Sequence, residues 1–254
     1  MTLTAIILTK NNQASIRSCL KSLDFADKLI VVDSGSTDQT INIVNQFNTK
    51  LIHIAEKDFN YSKARNLGLQ DTKTDWIFYL DSDEVVSPAL KRTIQTILKA
   101  SPQSQPSAFK IHRHNYILGR LMKHGGWQKD YLQRLFQTKK LKKWLGPVHE
   151  KSIFIGQEGI IKQPIIHYTS LTMNSILAKG RNWCPIEAKL LFKADHPPVT
   201  WWRLLKFTLF RFLKYHLKDL GFLDGYHGWI QSFIQSYHTF LTYAHLWHLQ
   251  NPSQ

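Results

Sequence analysis

Cysteine is nearly absent: Cys19 and Cys184 are the two in 254 residues. That is too few for a disulfide framework, and the pair lacks the spacing of a thiolate metal site. Reduced thiols in the cytoplasm suit such a chain. Long apolar runs are missing too. The longest stretch without a charged residue, 225–254, is broken by Gln, Ser and His, whereas a membrane span needs about 20 predominantly apolar residues. No secretory leader is visible either, because the apolar run at residues 3–8 follows no basic segment and passes straight into Thr9, Lys10, Asn11 and Asn12. Acidic residues are scarce in one region only. Residues 1–100 carry 12 Lys/Arg against 11 Asp/Glu, and the remaining residues carry 21 against 7. Nearly all of the net charge of +15 therefore lies after residue 100, as expected of a region that faces nucleic acid, acidic phospholipid or a phosphorylated glycolipid. No internal repeat or low-complexity tract is present.

What is there begins with alternating strand and helix patterns. Residues 3–8, 28–33, 51–54 and 76–80 read as short buried strands. Residues 12–23 place Ile16, Leu20 and Leu23 on one helical face. Ser36 and Gln39 fit a capping box that opens a helix through Phe47, and residues 61–70 read as a third helix. This alternation predicts an α/β fold with a Rossmann-like, mostly parallel central sheet. Ligands of such sheets bind beyond the carboxyl ends of the strands, where the loops 9–12, 33–38 and 81–84 all fall. After a polar, proline-containing linker at 101–107, strand-like runs at 108–111, 132–136 and 160–168 predict an antiparallel addition.

Asp81-Ser82-Asp83-Glu84 is the sharpest chemical signal. Two carboxylates at i and i+2 after a buried strand suit Mg²⁺, which typically bridges one or two carboxylates to substrate phosphates. Taken alone, the same acids equally suit a helix start. The turn Asp33-Ser34-Gly35-Ser36-Thr37-Asp38 offers an acceptor for ribose hydroxyls or a base N–H, or is simply a capped turn. Lys63, Arg65 and Asn66 are candidates to grip base or diphosphate, or to face solvent on a helix.

In this order and spacing, Thr9-Lys10-Asn11-Asn12, Val31 through Asp38, Ala64-Arg65-Asn66 and Tyr79 through Glu84 resemble the inverting glycosyltransferases of family 2, which have the GT-A fold. Gly126-Trp127-Gln128-Lys129-Asp130, Arg134-Leu135-Phe136, Gly146-Pro147-Val148-His149-Glu150 and His167-Tyr168 are similar to a narrower branch, the bacterial lipopolysaccharide-core and lipooligosaccharide glucosyltransferases. The resemblance implies that Thr9, Asn11, Asp33, Arg65 and Asp81 contact the nucleotide-sugar. It implies that Asp81 and Asp83 hold a divalent metal, Mg²⁺ or Mn²⁺, with His149 or His167 as a third ligand. A carboxylate base is also implied, for which Glu150 and Asp130 compete. Trp127 is placed against an acceptor sugar face and Arg134 against an acceptor phosphate. The implied donor is a UDP-sugar and the implied acceptor a lipid-linked core oligosaccharide; undecaprenyl-phosphate and protein acceptors remain open.

The last segment is basic and aromatic. Residues 201–218 hold no acid, and at helical spacing Arg203, Lys206, Arg211, Lys214 and Lys218 fall within an arc of about 140° beside Trp, Leu and Phe. An interfacial helix on an anionic membrane has this make-up, although a helix packed on the catalytic domain with its charges in water has it too. Residues 229–249 carry an apolar stripe that serves packing on the preceding helix, pairing into a homodimer, or extension of the membrane face. The expected organisation is a catalytic domain over residues 1–200, with a nucleotide-sugar half (1–100) and an acceptor half (101–200), then a helical membrane-associating extension over 201–254. The expected location is cytoplasmic, peripheral on the inner face of the cytoplasmic membrane. No nucleic-acid partner is expected, because the basic aromatic segment is amphipathic.

Overall fold

A computed structural model describes residues 1–55, 59–146, 150–169 and 172–252. The chain divides into two compact units, Met1–Arg113 with Tyr131–His167, and His114–Asp130 with Tyr168–Gln254.

The first unit starts with β1 (Leu3–Thr9), α1 (Ile16–Lys21), β2 (Lys28–Asp33), α2 (Thr40–Val44), β3 (Lys50–His53), α3 (Tyr61–Gln70) and β4 (Trp76–Asp81). β1 lies between β2 and β4, parallel to both, and β3 runs parallel on the far side of β2. Alternate side chains go to opposite faces of the sheet. Leu3, Ala5 and Ile7 join Trp76, Phe78 and Leu80 in one core, while Ile6 and Leu8 join Ile77 and Tyr79 in the other. Burial on both faces explains why these strands read as continuous apolar runs.

The first two helices are shorter than the expected 12–23 and 36–47 segments. The capping box does not form: Ser36 Oγ donates to Asp33, and α2 begins after Gln39 with no side-chain cap. A carboxylate is the stronger acceptor for that hydroxyl. α3 agrees with the predicted 61–70 and is capped by Asn60 Oδ1, which accepts from the Lys63 backbone N–H at 2.7 Å. It lies tight on the sheet, since a Cβ at Gly68 would sit 2.5 Å from Ile6 Cγ2.

The rest of this unit is the predicted antiparallel addition. β5 (Glu84–Val86), α4 (Pro88–Lys99), β6 (Ala108–Ile117), β8 (Tyr131–Gln137) and β11 (Glu158–His167) follow. They extend the sheet in the order β3-β2-β1-β4-β8-β6-β11-β5, with β8 antiparallel to β4 and to β6, and β5 antiparallel to β11. β9 (Leu141–Leu145) and β10 (Lys151–Phe154) form a separate antiparallel ribbon.

The second unit holds β7 (Arg120–Leu121), which pairs with the end of β6, and α5 (Met173–Lys193), α6 (Trp201–Leu213) and α7 (Gly225–Gln250). Thr172 and Ser175 close a reciprocal capping box on α5. α6 runs on into a wider π turn at Lys214–Lys218, so the regular spacing assumed for the five cations ends at Leu213. α7 packs on α5 and α6: Leu246 meets Ala188 and Val199, Phe207 stacks on Tyr243 at 4.8 Å, and Phe212 meets Phe233 at 4.7 Å. The 229–249 stripe itself points mostly outward: Trp229, Ile230, Phe233, Tyr237 and Phe240 are exposed, while the buried face of α7 is Gly228, Gln231, Ser232, Ile234, Ser236, Thr242 and Leu246. The boundary expected at 200/201 falls inside this unit, which takes in α5. No helix among the described residues is long and apolar enough to cross a membrane.

Candidate active site

The first unit brings its acid-rich turns to one edge. Asp33 ends β2 and Asp81 ends β4, and β1 between them pairs Thr9 with Asp33 and Leu8 with Asp81. Two strand spacings separate them, about 10 Å. Side chains of the β1 loop tie the neighbouring turns together. Asn11 Oδ1 accepts from Thr37 N at 2.7 Å, Asn11 N donates to Ser36 Oγ at 2.9 Å, and Asn12 Nδ2 donates to Ser82 Oγ at 2.6 Å. Asn11 takes φ +50° to do so, a conformation for which Asn is enriched.

Asp33 is 1% exposed and bends back onto its own turn. It accepts from Gly35 N at 3.0 Å, from Ser36 N at 3.1 Å and from the Ser36 hydroxyl. A carboxylate has about four lone-pair positions, so most of its capacity shapes the loop. Gly35, at φ +89°, supplies the left-handed residue of this turn.

Asp81 sits in a network of charges. Arg134 Nη2 reaches Asp81 Oδ2 at 2.6 Å and Glu84 Oε1 at 2.9 Å. Arg65 Nη2 reaches Asp81 Oδ1 at 3.2 Å, and its Nε donates to Glu150 Oε1 at 2.8 Å. Glu84 is fully buried and also accepts from Arg113 at 3.2 Å and from the Asp81 backbone N–H at 2.9 Å. Burial by itself would raise the Asp81 carboxyl, but Arg134 and then Arg65 outweigh it and hold it well below the usual carboxylate range. Despite its own burial, Arg134 is made still more basic by Asp81 and Glu84. Arg134, expected at an acceptor phosphate, therefore lies 2% exposed against these two acids, because carboxylates this deep need a cation beside them.

Asp83 Oδ2 is 3.3 Å from His167 Nε2, and β11 places His167 opposite Glu84. Two ligands at about 2.1 Å from one ion in octahedral geometry lie about 3 Å apart, so this carboxylate and imidazole fit a divalent cation. Among the described residues no group of three or more His, Cys, Asp or Glu could hold a metal. Asp81, expected beside Asp83 as a ligand, has both oxygens on arginines. His149 lies outside the described residues.

The other predicted residues are distributed as follows. Thr9 is buried, and its Oγ1 has no hydrogen-bond partner. Lys63 and Asn66 line an open pocket of about 560 Å³ with Asn60, Trp144 and Gly146. Asn66 uses both ends of its amide on the Trp144 backbone, at 2.8 and 3.0 Å, and so pins β9 to α3. Glu150 joins the Asp81 network through Arg65. Asp130 belongs to the second unit and accepts from Asn115 Nδ2 at 2.7 Å. Trp127 is in the second unit as well. Of the five cations, Arg211 donates to Thr239 Oγ1 at 3.1 Å, Lys214 pairs with Asp219 at 2.6 Å and Arg203 bonds the Pro198 carbonyl at 3.3 Å, while Lys206 and Lys218 are exposed.

Several contributors escaped sequence reading. Trp144 and Tyr79 carry the Arg65 guanidinium on their rings, with its carbon 5.1 and 5.4 Å from the centroids. Burial, with Asp81 and Glu150, pushes the Tyr61 phenol up to about 12. Cys19 donates toward the Asp81 carbonyl at 3.6 Å, and burial, with Glu84, Asp83 and Asp81, raises its thiol well above the ordinary value. The site therefore has a neutral thiol at its base. No local spacing signals these residues, which come from separate strands and helices.

Comparison with known proteins follows the same lines. The profile of Glycosyl transferase family 2 matches residues 4–155. A Rickettsia felis protein named only as an uncharacterized glycosyltransferase is 26% identical over 267 residues, covering 96% of this chain and 89% of that one. The lipopolysaccharide core biosynthesis glycosyltransferase LpsC of Rhizobium meliloti is 22% identical over 262 residues, covering 96% and 92%. A solved glucosyl-3-phosphoglycerate synthase from M. tuberculosis superposes with a TM-score of 0.50 at 15% identity, covering 77% of this chain and 81% of that one; this is a likeness of fold, the GT-A fold. With its profile spanning more than half of the sequence, and with Asp33 and Asp81 leaving one edge of a parallel sheet, the chain belongs to glycosyl transferase family 2.

Proposed function

We propose that this glycosyltransferase is an inverting hexosyltransferase that takes a sugar, glucose foremost, from a UDP-sugar and passes it to a lipid-linked core oligosaccharide of lipopolysaccharide. The observation that carries the reading is the shared edge: the Asp33 turn, Arg65, and the Asp83–His167 pair all belong to the carboxyl ends of the first unit's strands or the elements packed there. The relative in lipopolysaccharide core biosynthesis supports the acceptor class.

Asp83 and His167 would hold a divalent cation, Mg²⁺ or Mn²⁺, which would supply positive charge against the diphosphate leaving group. Arg65 is fixed by Asp81, Glu150 and two aromatic rings, and its Nη1 is buried without a partner. That N–H is a donor ready for a phosphate oxygen, since a buried donor left unmatched is costly. Asp81 keeps Arg65 and Arg134 in place and stays ionised. Glu150 takes the proton of the acceptor hydroxyl; Asp130 is the competing base. The hydroxyl oxygen then bonds to the anomeric carbon opposite the departing diphosphate. The anomeric carbon–oxygen bond breaks, its electron pair leaves with the nucleotide, and configuration at that carbon inverts.

A membrane-held acceptor is supported by the outward face of α6. Trp201, Leu209 and Phe210 are 74%, 59% and 63% exposed, with Trp202, Leu205 and Leu213 beside them. Exposed contiguous apolar side chains mark a surface that is covered in use. Lys206 lies beside this face and Lys218 in the turn that follows, cations suited to an anionic leaflet.

The test is thermal unfolding of the full chain with a panel of nucleotide-sugars, each with and without Mg²⁺ or Mn²⁺. A UDP-hexose is expected to raise the midpoint only with the cation present, because a bound donor stabilises the native state by mass action. Protection by no nucleotide-sugar under any condition would remove the reading.

A further inference from the structure

The first unit holds a cavity that the transfer reaction described above does not use, at the edge of the sheet away from the acid-rich turns. It measures about 420 Å³, and small-molecule sites occupy roughly 300–1,000 Å³. The strand register fixes its place. Trp76 opens β4 and pairs with Gln137, the last residue of β8, and both line the cavity. Asp81 closes the same strand. At about 3.3 Å per residue, the length of β4 puts the cavity about 17 Å from the charge network.

Its floor is tied down by hydrogen bonds. Gln137 N donates to the Ser107 carbonyl at 2.8 Å, and Thr138 N donates to the Asp75 carbonyl at 2.9 Å. The side-chain amide of Gln137 donates to the Pro102 carbonyl at 2.9 Å, and that of Gln105 to the carbonyls of Ile97 and Ala100 at 3.0 and 3.1 Å. These bonds hold the polar 101–107 segment against the ends of β4 and β8.

The rim is cationic. Lys73, Lys139 and Lys140 line the cavity, all three are exposed, and none forms a salt bridge among the described residues. A lysine ammonium rides on a flexible four-carbon stem, so one without a fixed partner turns readily onto an anion seated beside it. Asp75 is the carboxylate of the wall. It accepts from Thr2 N at 2.8 Å and from Thr2 Oγ1 at 3.0 Å, and these bonds hold its carboxyl below the ordinary value. The charged side chains of the wall are therefore two positive charges in excess.

Near pH 7 a phosphate monoester carries about −1.5 to −2, which matches that excess, and its oxygens accept charge-assisted bonds from ammonium groups. Amide and hydroxyl side chains outnumber apolar ones in the rest of the wall, so the body that carries the phosphate is polar as well. Trp76 is fully buried, and no other aromatic residue lines the cavity among the described residues, which leaves a nucleobase nothing to stack on. We infer that this cavity binds a small, polar phosphate monoester of the hexose phosphate type, with the phosphate held by Lys73, Lys139 and Lys140. The inference goes beyond the transfer reaction and does not depend on it, because binding is measured without turnover.

The test is calorimetric titration of the full chain with glucose 6-phosphate, in the absence and in the presence of saturating UDP and Mg²⁺, with glucose as the uncharged control. Glucose 6-phosphate should bind saturably in both conditions, and glucose should give no signal. Exchange of all three lysines for Gln should weaken the binding by about tenfold or more, whereas exchange of all three for Arg, which keeps the charge, should retain it. Absence of binding to the wild-type chain overturns the inference. So does binding that UDP abolishes, since the ligand would then sit at the donor site, and so does binding that the Gln variant leaves unchanged. A second measurement needs no variant: acetylation followed by mass spectrometry. Glucose 6-phosphate should protect Lys73, Lys139 and Lys140 but not Lys142 and Lys143, which are exposed on β9. Equal protection of all five would mean diffuse attraction to a basic surface and would also overturn the cavity.

Discussion

The two units treat charge and apolar surface in opposite ways. The first links buried Arg65, Glu84 and Arg134 and half-buried Asp81 in one network at the end of a sheet whose apolar residues are mostly covered. The second leaves large apolar side chains in the open, Tyr226 at 86% exposure and Trp201 at 74%, and keeps its cations near the surface. A buried charge network gains nothing from solvent and fixes geometry for chemistry, at the cost of desolvation that only exact partners offset. An open apolar face gains nothing until it is covered. One unit thus concentrates charge at a sheet edge, and the other presents apolar surface.

The contrast is open to experiment. Its largest expected effect is in the buried network. Arg134→Met should destabilise the chain by about 3–5 kcal/mol, because buried Glu84 and its neighbour Asp81 lose the cation they share. Adding Glu84→Gln should recover part of that loss, and urea unfolding of the single and double variants measures both; equal stability of wild type and Arg134→Met would show the network to be superficial.

Asp83→Ala should leave the fold intact by circular dichroism but lower transfer on the order of 10²–10³-fold, or about 3–4 kcal/mol of barrier, if its carboxylate helps to place charge at the leaving group. Undiminished turnover at saturating Mg²⁺ or Mn²⁺ would remove Asp83 from the mechanism.

Exchange of Lys206 and Lys218 for Gln should weaken binding to anionic vesicles by about 2 kcal/mol in all, near 1 kcal/mol for each cation, with catalysis on a soluble acceptor unchanged. Sedimentation with phosphatidylserine-containing and purely zwitterionic vesicles reads this directly. Arg211 and Lys214 should matter less, since Thr239 and Asp219 already engage them.

The gentlest probe is pH. The Asp81 carboxyl is held low in the folded chain, so its charge stabilises the fold above the unfolded-state pKa of about 4. That contribution should drain away as pH falls below this value. Urea midpoints collected between about pH 5 and pH 2 should decline, and an Asp81→Asn variant should decline less over the same range.

Much of the first unit was readable in advance. The runs at 28–33, 61–70 and 76–80 became β2, α3 and β4 with boundaries shifted by a residue at most, since buried parallel strands and a helix with a clear cap leave strong local patterns. The short helices were over-read. Residues 12–15 and 36–39 stay outside the helices where Asn12 bonds to Ser82, and Ser36 and Asp38 accept from Asn11 and Gln13, across the loops rather than along a helix. Such long-range competition is invisible to periodicity. The division of the chain was obscured for a similar reason: residues 114–130 belong with α5–α7, and only contacts distant in sequence reveal it.

Composition and spacing on their own determined that the first hundred residues alternate strand and helix, that acids end the second and fourth strands, and that the last segment is a basic, aromatic helix. Those are local properties, set by side-chain polarity at periods of two or of about four residues. Tertiary structure alone decided which acids are spent on arginines and which face a histidine, that Arg134 is buried among carboxylates, and that Lys73, Lys139 and Lys140 share one cavity. Pairing is a matter of distance between residues up to a hundred positions apart, and a charge or an amide declares its partner only once packing has removed the water that would otherwise have served.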